Sequence, residues 1–231
     1  MLLGFSTGCL YKTHDSLAKE TFDIFRKIGA NAIEIMSHER EHISRLLDIM
    51  PEDLIGFEYI SVHAPSFDNH SEVEVVEILK ILEKAHEKLH FNAIVIHPYE
   101  TMNFDLFSQF DLPFAIENMD WRKDFGKYTD SLKDIFEKFD APMVLDLNHC
   151  YTNDPSMRLA HEMVDEFRSR IKEIHLSGFE KLYEPLFRTN QKEIAEAIPD
   201  VNLPVIIESG LESIEEAQEE FKYVKEYLLG H

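Results

Sequence analysis

The chain has 231 residues, 44% hydrophobic and 29% charged, a balance that suits a soluble globular protein with a sizeable core. Its formal net charge of −21, with basic residues scattered rather than clustered, argues against a nucleic-acid partner, because gripping phosphates takes a basic stripe. No apolar run approaches the roughly 20 residues of a membrane span, the start MLLGFSTGC lacks the marks of a signal peptide, and two cysteines, Cys9 and Cys150, make no disulfide framework, so a cytoplasmic protein is expected.

Along the chain, short apolar runs at 2–6, 32–36, 58–63, 92–97, 113–117, 142–146, 171–176 and 203–208 predict strands. Stretches of helical period lie between them. Residues 15–27 present Leu17, Ala18, Phe22, Ile24 and Phe25 on one stripe, and 71–89 present Val75, Ile78, Leu79, Leu82 and Leu89. Residues 131–139, 155–167, 190–198 and 212–229 read the same way. Asp130 or Ser131, Asp154 ahead of Pro155, and Ser209 with Gly210 supply helix starts. The connection 98–112 is short for a full helix.

Strands alternating with helical crossovers imply a parallel sheet, either a closed (β/α)8 barrel or an open doubly wound sheet. The turn GFSTGC after the first run is not a glycine-rich phosphate loop, and polar residues close most of the strands instead of gathering at one switch point. Both points favour a TIM barrel of the α/β class, read as one domain over 1–231.

The strand ends carry the chemistry. YISVH ends on His63, AIVIH on His97, PFAIEN holds Glu117, PMVLDLNH holds Asp146 and His149, IKEIH ends on His175 and LPVIIES holds Glu208. A lone polar residue closing a buried strand is ordinary. Imidazoles and carboxylates at the same end of successive barrel strands converge on one mouth, and that donor set takes zinc or manganese, with magnesium or iron also compatible.

The motifs VHAPS, VIHPY, AIEN, VLDLNH, EIHLS and IIES together resemble those of the xylose-isomerase-like TIM barrels, a superfamily that includes endonuclease IV and many sugar isomerases and epimerases. The resemblance runs over essentially the whole chain; it is strong as a set and weak motif by motif. It implies a barrel with metal at the strand ends, and it divides. In the epimerase branch, Glu117, Asp146, His175 and Glu208 match the ligands of one metal, with Glu117 and Glu208 also moving protons at the substrate carbon. In the endonuclease IV branch, His63 and His97 match ligands of a second metal that Glu117 bridges. His149 matches a ligand of a third metal, but the Asp-x-His that completes that site is missing: EKLYEPLFRTN follows EIHLSGF. This departure counts against a three-metal phosphodiesterase. The expectation is therefore an isomerase or epimerase of a small sugar or sugar phosphate with one or two ions, His63 and His97 holding metal or substrate. An endonuclease IV-like phosphoesterase is the alternative, and a metabolite-binding barrel without chemistry is the third.

Further candidates surround the mouth. His149, Asn118, Trp121 and Glu34 are expected to reach substrate; Asn118 could equally orient Glu117, Glu34 could bridge within the barrel, and Trp121 could anchor the rim. Arg122, Lys123, Lys127, Lys181 and Arg188 are candidate phosphate holders that read more simply as surface. His38 to His42 spells HExxH, discounted as a zinc site because its context is a charged helix start with no third ligand. The sequence leaves a homo-oligomer open.

Overall fold

Each apolar run forms a strand, within two residues of its expected bounds: β1 (Leu3–Ser6), β2 (Ala32–Met36), β3 (Tyr59–His63), β4 (Ala93–Ile96), β5 (Phe114–Glu117), β6 (Met143–Asp146), β7 (Ile171–Leu176) and β8 (Val205–Ile207). The computed structural model describes residues 1–37 and 40–230. Among these the eight strands pair in parallel in chain order, and β8 returns to β1 through Leu3↔Val205 and Phe5↔Ile207, so the barrel closes. Closure leaves no sheet edge to cap. No described helix is long and apolar enough to cross a membrane.

Strand alternation sorts the side chains into two layers. Ile33, Ile35, Val62, Ile94, Ile96, Ile116, Leu145, Ile174 and Ile207 belong to the large core between barrel and helices. Ala93, Val95, Ala115 and Val144 form a separate small cluster with Tyr59, the apolar plug inside the barrel. Above this plug the same inward phase carries Ser61 and His63 on β3, Glu117 on β5, Asp146 on β6, and Glu173 and His175 on β7.

The helices follow local signals closely where a cap exists. Ser71 accepts the Glu74 amide while the Glu74 carboxylate accepts the Ser71 amide, a capping box that starts helix Glu72–Leu89. Helix Lys19–Ile28 ends on Gly29 at φ 108°, a left-handed cap that suits glycine. Elsewhere the starts differ from those expected: helix Thr129–Lys138 begins after Tyr128 and not at Asp130 or Ser131, and helix Arg158–Phe167 begins after Met157 and not at Asp154. The final helix, Ile214–Leu229, is capped by Ser213, while Ser209 bonds to Glu220 instead. Residues 190–198 hold the short helix Lys192–Glu196, and a further turn, Leu186–Thr189, precedes it, the two separated by Asn190 in the left-handed region at φ 52°. An additional helix, Leu147–Asn153, starts directly at the end of β6 because the Asp146 carboxylate caps it, accepting the His149 amide at 2.7 Å. The connection 98–112 contains only the single turn Phe104–Phe107.

Candidate metal centre

Six of the expected residues meet at one end of the barrel. Among the described residues three groups of donor atoms, each within 4.8 Å of one another, could hold ions: Glu34, Glu173 and His175 lie deeper in the barrel, and two lie at the mouth, His63, His97 and Glu117, and Glu117, Asp146, His175 and Glu208. Glu117 belongs to both mouth groups. Its Oε1 lies 2.8 Å from His175 Nδ1, and its Oε2 lies 2.7 Å from His97 Nε2 and 3.4 Å from His63 Nε2. His175 Nδ1 is also 3.3 Å from Glu208 Oε2. Glu117, Asp146 and His175 are buried, and Glu208 keeps partial access. Among the described residues no aligned hydrogen bond reaches Glu117 Oε2 despite the two ring nitrogens facing it. A buried, under-satisfied oxygen facing imidazole nitrogens is the donor chemistry a divalent cation needs, so the residues fit a metal.

The charges confirm how tightly these groups interact. Burial works to raise the Glu117 carboxyl, but the imidazoles of His175, His63 and His97 outweigh it and hold it well below the usual carboxylate range. Burial pushes the Asp146 carboxyl up to about 8, with Glu117 and Glu208 adding to it and His149 and His175 opposing. The two facing rings divide: burial opposes charge on both, yet Glu117, Glu34 and Glu208 raise His63 to about 10, whereas His97 is lowered to about 4, with His63 and His149 adding to the effect of burial. Their rings sit edge to face, centroids 4.7 Å apart, so a charge on one disfavours a charge on the other.

His149 stands one turn above Asp146, its Nε2 3.4 Å from Asp146 Oδ2 and 3.2 Å from Tyr183 Oη, and its Nδ1 2.7 Å from the Asn118 carbonyl oxygen. The spacing in DLNH puts it there, since residues three apart on a helix are neighbours. Asn118 is fully buried and ties β5 to β6, its amide donating to the Asp146 carbonyl and its oxygen accepting the Asp146 amide. It joins the two strands and lies off the cavity lining. Trp121 is 56% exposed and off the cavity lining: Asp120 turns the loop by accepting the Arg122 amide and guanidinium, which points residue 120 inward and 121 outward. Glu34 is fully buried beneath His175, 3.2 Å from its Nε2, and also lies off the lining. Cys150 is a buried thiol that burial keeps protonated.

The centre forms the floor of a cavity of about 990 Å³ whose walls include His149, Tyr183, Asp120 and Arg122. That volume suits a small molecule. Its basic wall residues are each paired: Arg45 with Asp15, Arg122 with Asp120, and Lys123 with Asp68 at 3.7 Å. Lys127, Lys181 and Arg188 do not line it. His38 and Glu39 of the HExxH motif lie outside the described residues, and His42 lines the outer wall. Sequence reasoning missed Tyr183, Asp120, Ser61 and Glu173. Ser61 and Glu173 had a signal: each sits two residues before a ligand in the same strand and therefore points the same way. Tyr183 had none, because a long loop brings it in.

No protein-family model matches this sequence, and no curated protein is similar to it in sequence. Solved structures are similar in shape. Endonuclease IV from Thermus thermophilus superposes with a TM-score of 0.71 at 14% identity, covering 100% of both chains. A xylose isomerase domain-containing protein from Salmonella typhimurium gives 0.68 at 15%, covering 99% of this chain and 97% of that one. What they share with this chain is the closed (β/α)8 barrel. A 3-keto-D-glucoside 4-epimerase from E. coli shares it as well, at 0.66 and 12% identity, over 98% of this chain and 99% of that one. Identities this low speak for the fold and leave the reaction to the site.

Proposed function

We propose that the protein is a divalent-metal-dependent enzyme whose two-ion centre hydrolyses the phosphoester of a small molecule. The observation that carries this reading is Glu117, which turns one oxygen to His63 and His97 and the other to His175. So placed, Glu117 would help hold one ion with His63 and His97 and another with Asp146, His175 and Glu208, and an ion pair would supply charge stabilisation for an in-line displacement at phosphorus. Zinc or manganese suits the mixed imidazole and carboxylate donors best. Glu117 is also a poor base here, since the facing imidazoles hold its carboxyl low. Tyr183, kept neutral by burial and by the nearby Asp146 and Glu208, is a hydrogen-bond donor facing the cavity. The acidic surface and the paired wall cations support a small substrate over a nucleic acid. Two reduced, buried cysteines suit the cytoplasm.

The isomerase or epimerase reading stands second, and a specific observation favours it. Among the described residues each Arg and Lys lining the cavity faces a carboxylate, while Glu117 and Glu208 both reach the cavity where two proton-moving groups would flank a substrate carbon. Its structural relatives include both chemistries.

One experiment separates the readings. Protein loaded with zinc or manganese is analysed for metal per chain, alongside His63→Ala/His97→Ala, and assayed on p-nitrophenyl phosphate, bis(p-nitrophenyl) phosphate and a panel of free ketoses in deuterated water. Two ions falling to about one, with phosphoester cleavage falling more than about 100-fold, is the expected result. One ion, unchanged in the variant, with deuterium entering a sugar carbon, establishes the isomerase. Absence of bound metal sinks both.

A further inference from the structure

His175 stands between two sets of carboxylates. On the mouth side its Nδ1 is 2.8 Å from Glu117 Oε1 and 3.3 Å from Glu208 Oε2. On the inner side its Nε2 is 3.2 Å from Glu173 Oε1 and 3.2 Å from Glu34 Oε2. Glu173 is itself fixed: Ser61 Oγ donates to its Oε1 at 2.9 Å, and Tyr59 Oη donates to its Oε2 at 2.8 Å. Glu34, Ser61, Glu173 and His175 are all 0% exposed. The group lies beneath the centre and off the cavity lining, where it cannot touch a substrate.

Both ring nitrogens face carboxylate oxygens, where a lone pair would meet only negative oxygen in a medium of low dielectric; an ion on the mouth side would take the place of the hydrogen on Nδ1, and Nε2, facing the two fully buried carboxylates, would keep its own. In a neutral imidazole the lone pair then belongs to the other nitrogen. That nitrogen is Nδ1, which points at Glu117 and Glu208. Glu34 adds a second negative charge beside the same N–H, and neither of its oxygens has a hydrogen bond among the described residues. A ring made more positive by an ion on its far nitrogen is therefore the favourable partner for both inner carboxylates.

We propose that Glu173 is a positioning residue of the metal centre. By accepting the Nε2 hydrogen it fixes the tautomer in which His175 Nδ1 ligates, and Tyr59, Ser61 and Glu34 hold and reinforce that carboxylate. This rests on the metal-centre reading above. A carboxylate behind a ligating imidazole is generally worth about 10–100-fold in metal affinity.

The test uses the full chain labelled with ¹⁵N-histidine, loaded with zinc or ¹¹³Cd, together with zinc affinities measured by chelator competition for the wild type and Glu173→Gln. The expected wild-type spectrum shows His175 hydrogen on Nε2 and cadmium coupling to Nδ1. Glu173→Gln is expected to weaken one of two ions by about 10–100-fold and to leave the His63–His97 ion unchanged. A residue with a merely structural role would move both ions together or neither. Coupling through Nε2, or two unchanged affinities in Glu173→Gln, overturns the proposal while leaving the metal centre standing. A wild type that takes up no ion removes the centre and the proposal with it. Should Glu173→Gln fail to fold, the wild-type spectrum decides alone.

Discussion

At the scale of single residues the centre stores its charge in an arrangement that a cation would rearrange. Asp146 titrates at about 8, above its ordinary 3.8, so ionising it costs the metal-free fold increasingly as pH climbs from the lower value to the higher. An ion beside it removes that cost. His63 is raised to about 10 from 6.5, so its contribution to the metal-free fold is complete below 6.5 and is lost as pH rises through 10. An ion on its ring must displace that proton. Both signs point the same way: metal binding releases protons and strengthens with pH. The thermal shift on adding zinc is expected to grow between about pH 5.5 and pH 8 in scanning fluorimetry. A shift that shrinks over this range would contradict the assignment.

At the scale of elements, the loops that carry ligands are tied down by buried polar anchors. Glu220, fully buried on helix Ile214–Leu229, accepts Ser209 Oγ at 2.8 Å and the Leu186 and Phe187 amides at 2.8 and 3.0 Å. It therefore joins the segment just after Glu208 to the start of helix Leu186–Thr189. Glu220→Gln replaces one acceptor oxygen with an amide donor that faces other donors. It is expected to cost about 1–3 kcal/mol by chemical denaturation, or roughly 2–4 °C of melting temperature per kcal/mol in a chain of this size. Asp146 shows the same economy of placement: one oxygen caps helix Leu147–Asn153 and the other lies 3.4 Å from His149 Nε2. One aspartate thus ends a strand, starts a helix and joins the centre.

At the scale of the whole molecule, closure of the barrel sets the positions of all the ligands together. Gly4 sits where β1 meets β2, and a Cβ built there falls 1.7 Å from the Ala32 carbonyl oxygen. Backbone cannot yield by that amount without parting the two strands. Gly4→Ala is expected to cost more than about 3 kcal/mol and to give little soluble, metal-competent protein. Gly8→Ala is the control: its Cβ meets only the Met36 side chain, from 3.2 Å, which can move aside. Equal solubility and circular dichroism for the two variants would show that the β1–β2 seam tolerates more than this packing allows.

The sequence by itself determined the barrel and the ligand positions. Parallel strands covered on both faces read as short apolar runs, so YISVH, AIVI and VLD mark themselves without knowledge of their neighbours, and the polar residue closing each run is visible on inspection. Local caps were equally legible where a side chain bonds within its own segment, as at Ser71 with Glu74. What required the tertiary structure is which side chains meet across strands. From its strand alone Glu34 could contact substrate or bridge within the barrel; only the tertiary structure shows it beneath His175, 3.2 Å from Nε2. Trp121 could stack on a ring or anchor the rim; the structure shows it exposed, in a loop that Asp120 and Arg122 turn outward. Tyr183 enters the cavity at the end of a loop closed by the local Gly178–Glu184 bridge and tied by its carbonyl accepting the Gly210 amide, a contact between segments far apart in the chain. Periodicity reports the direction of a side chain relative to its own backbone; distance between strands is set by closure, and only closure shows that Glu117 faces two ligand groups at once.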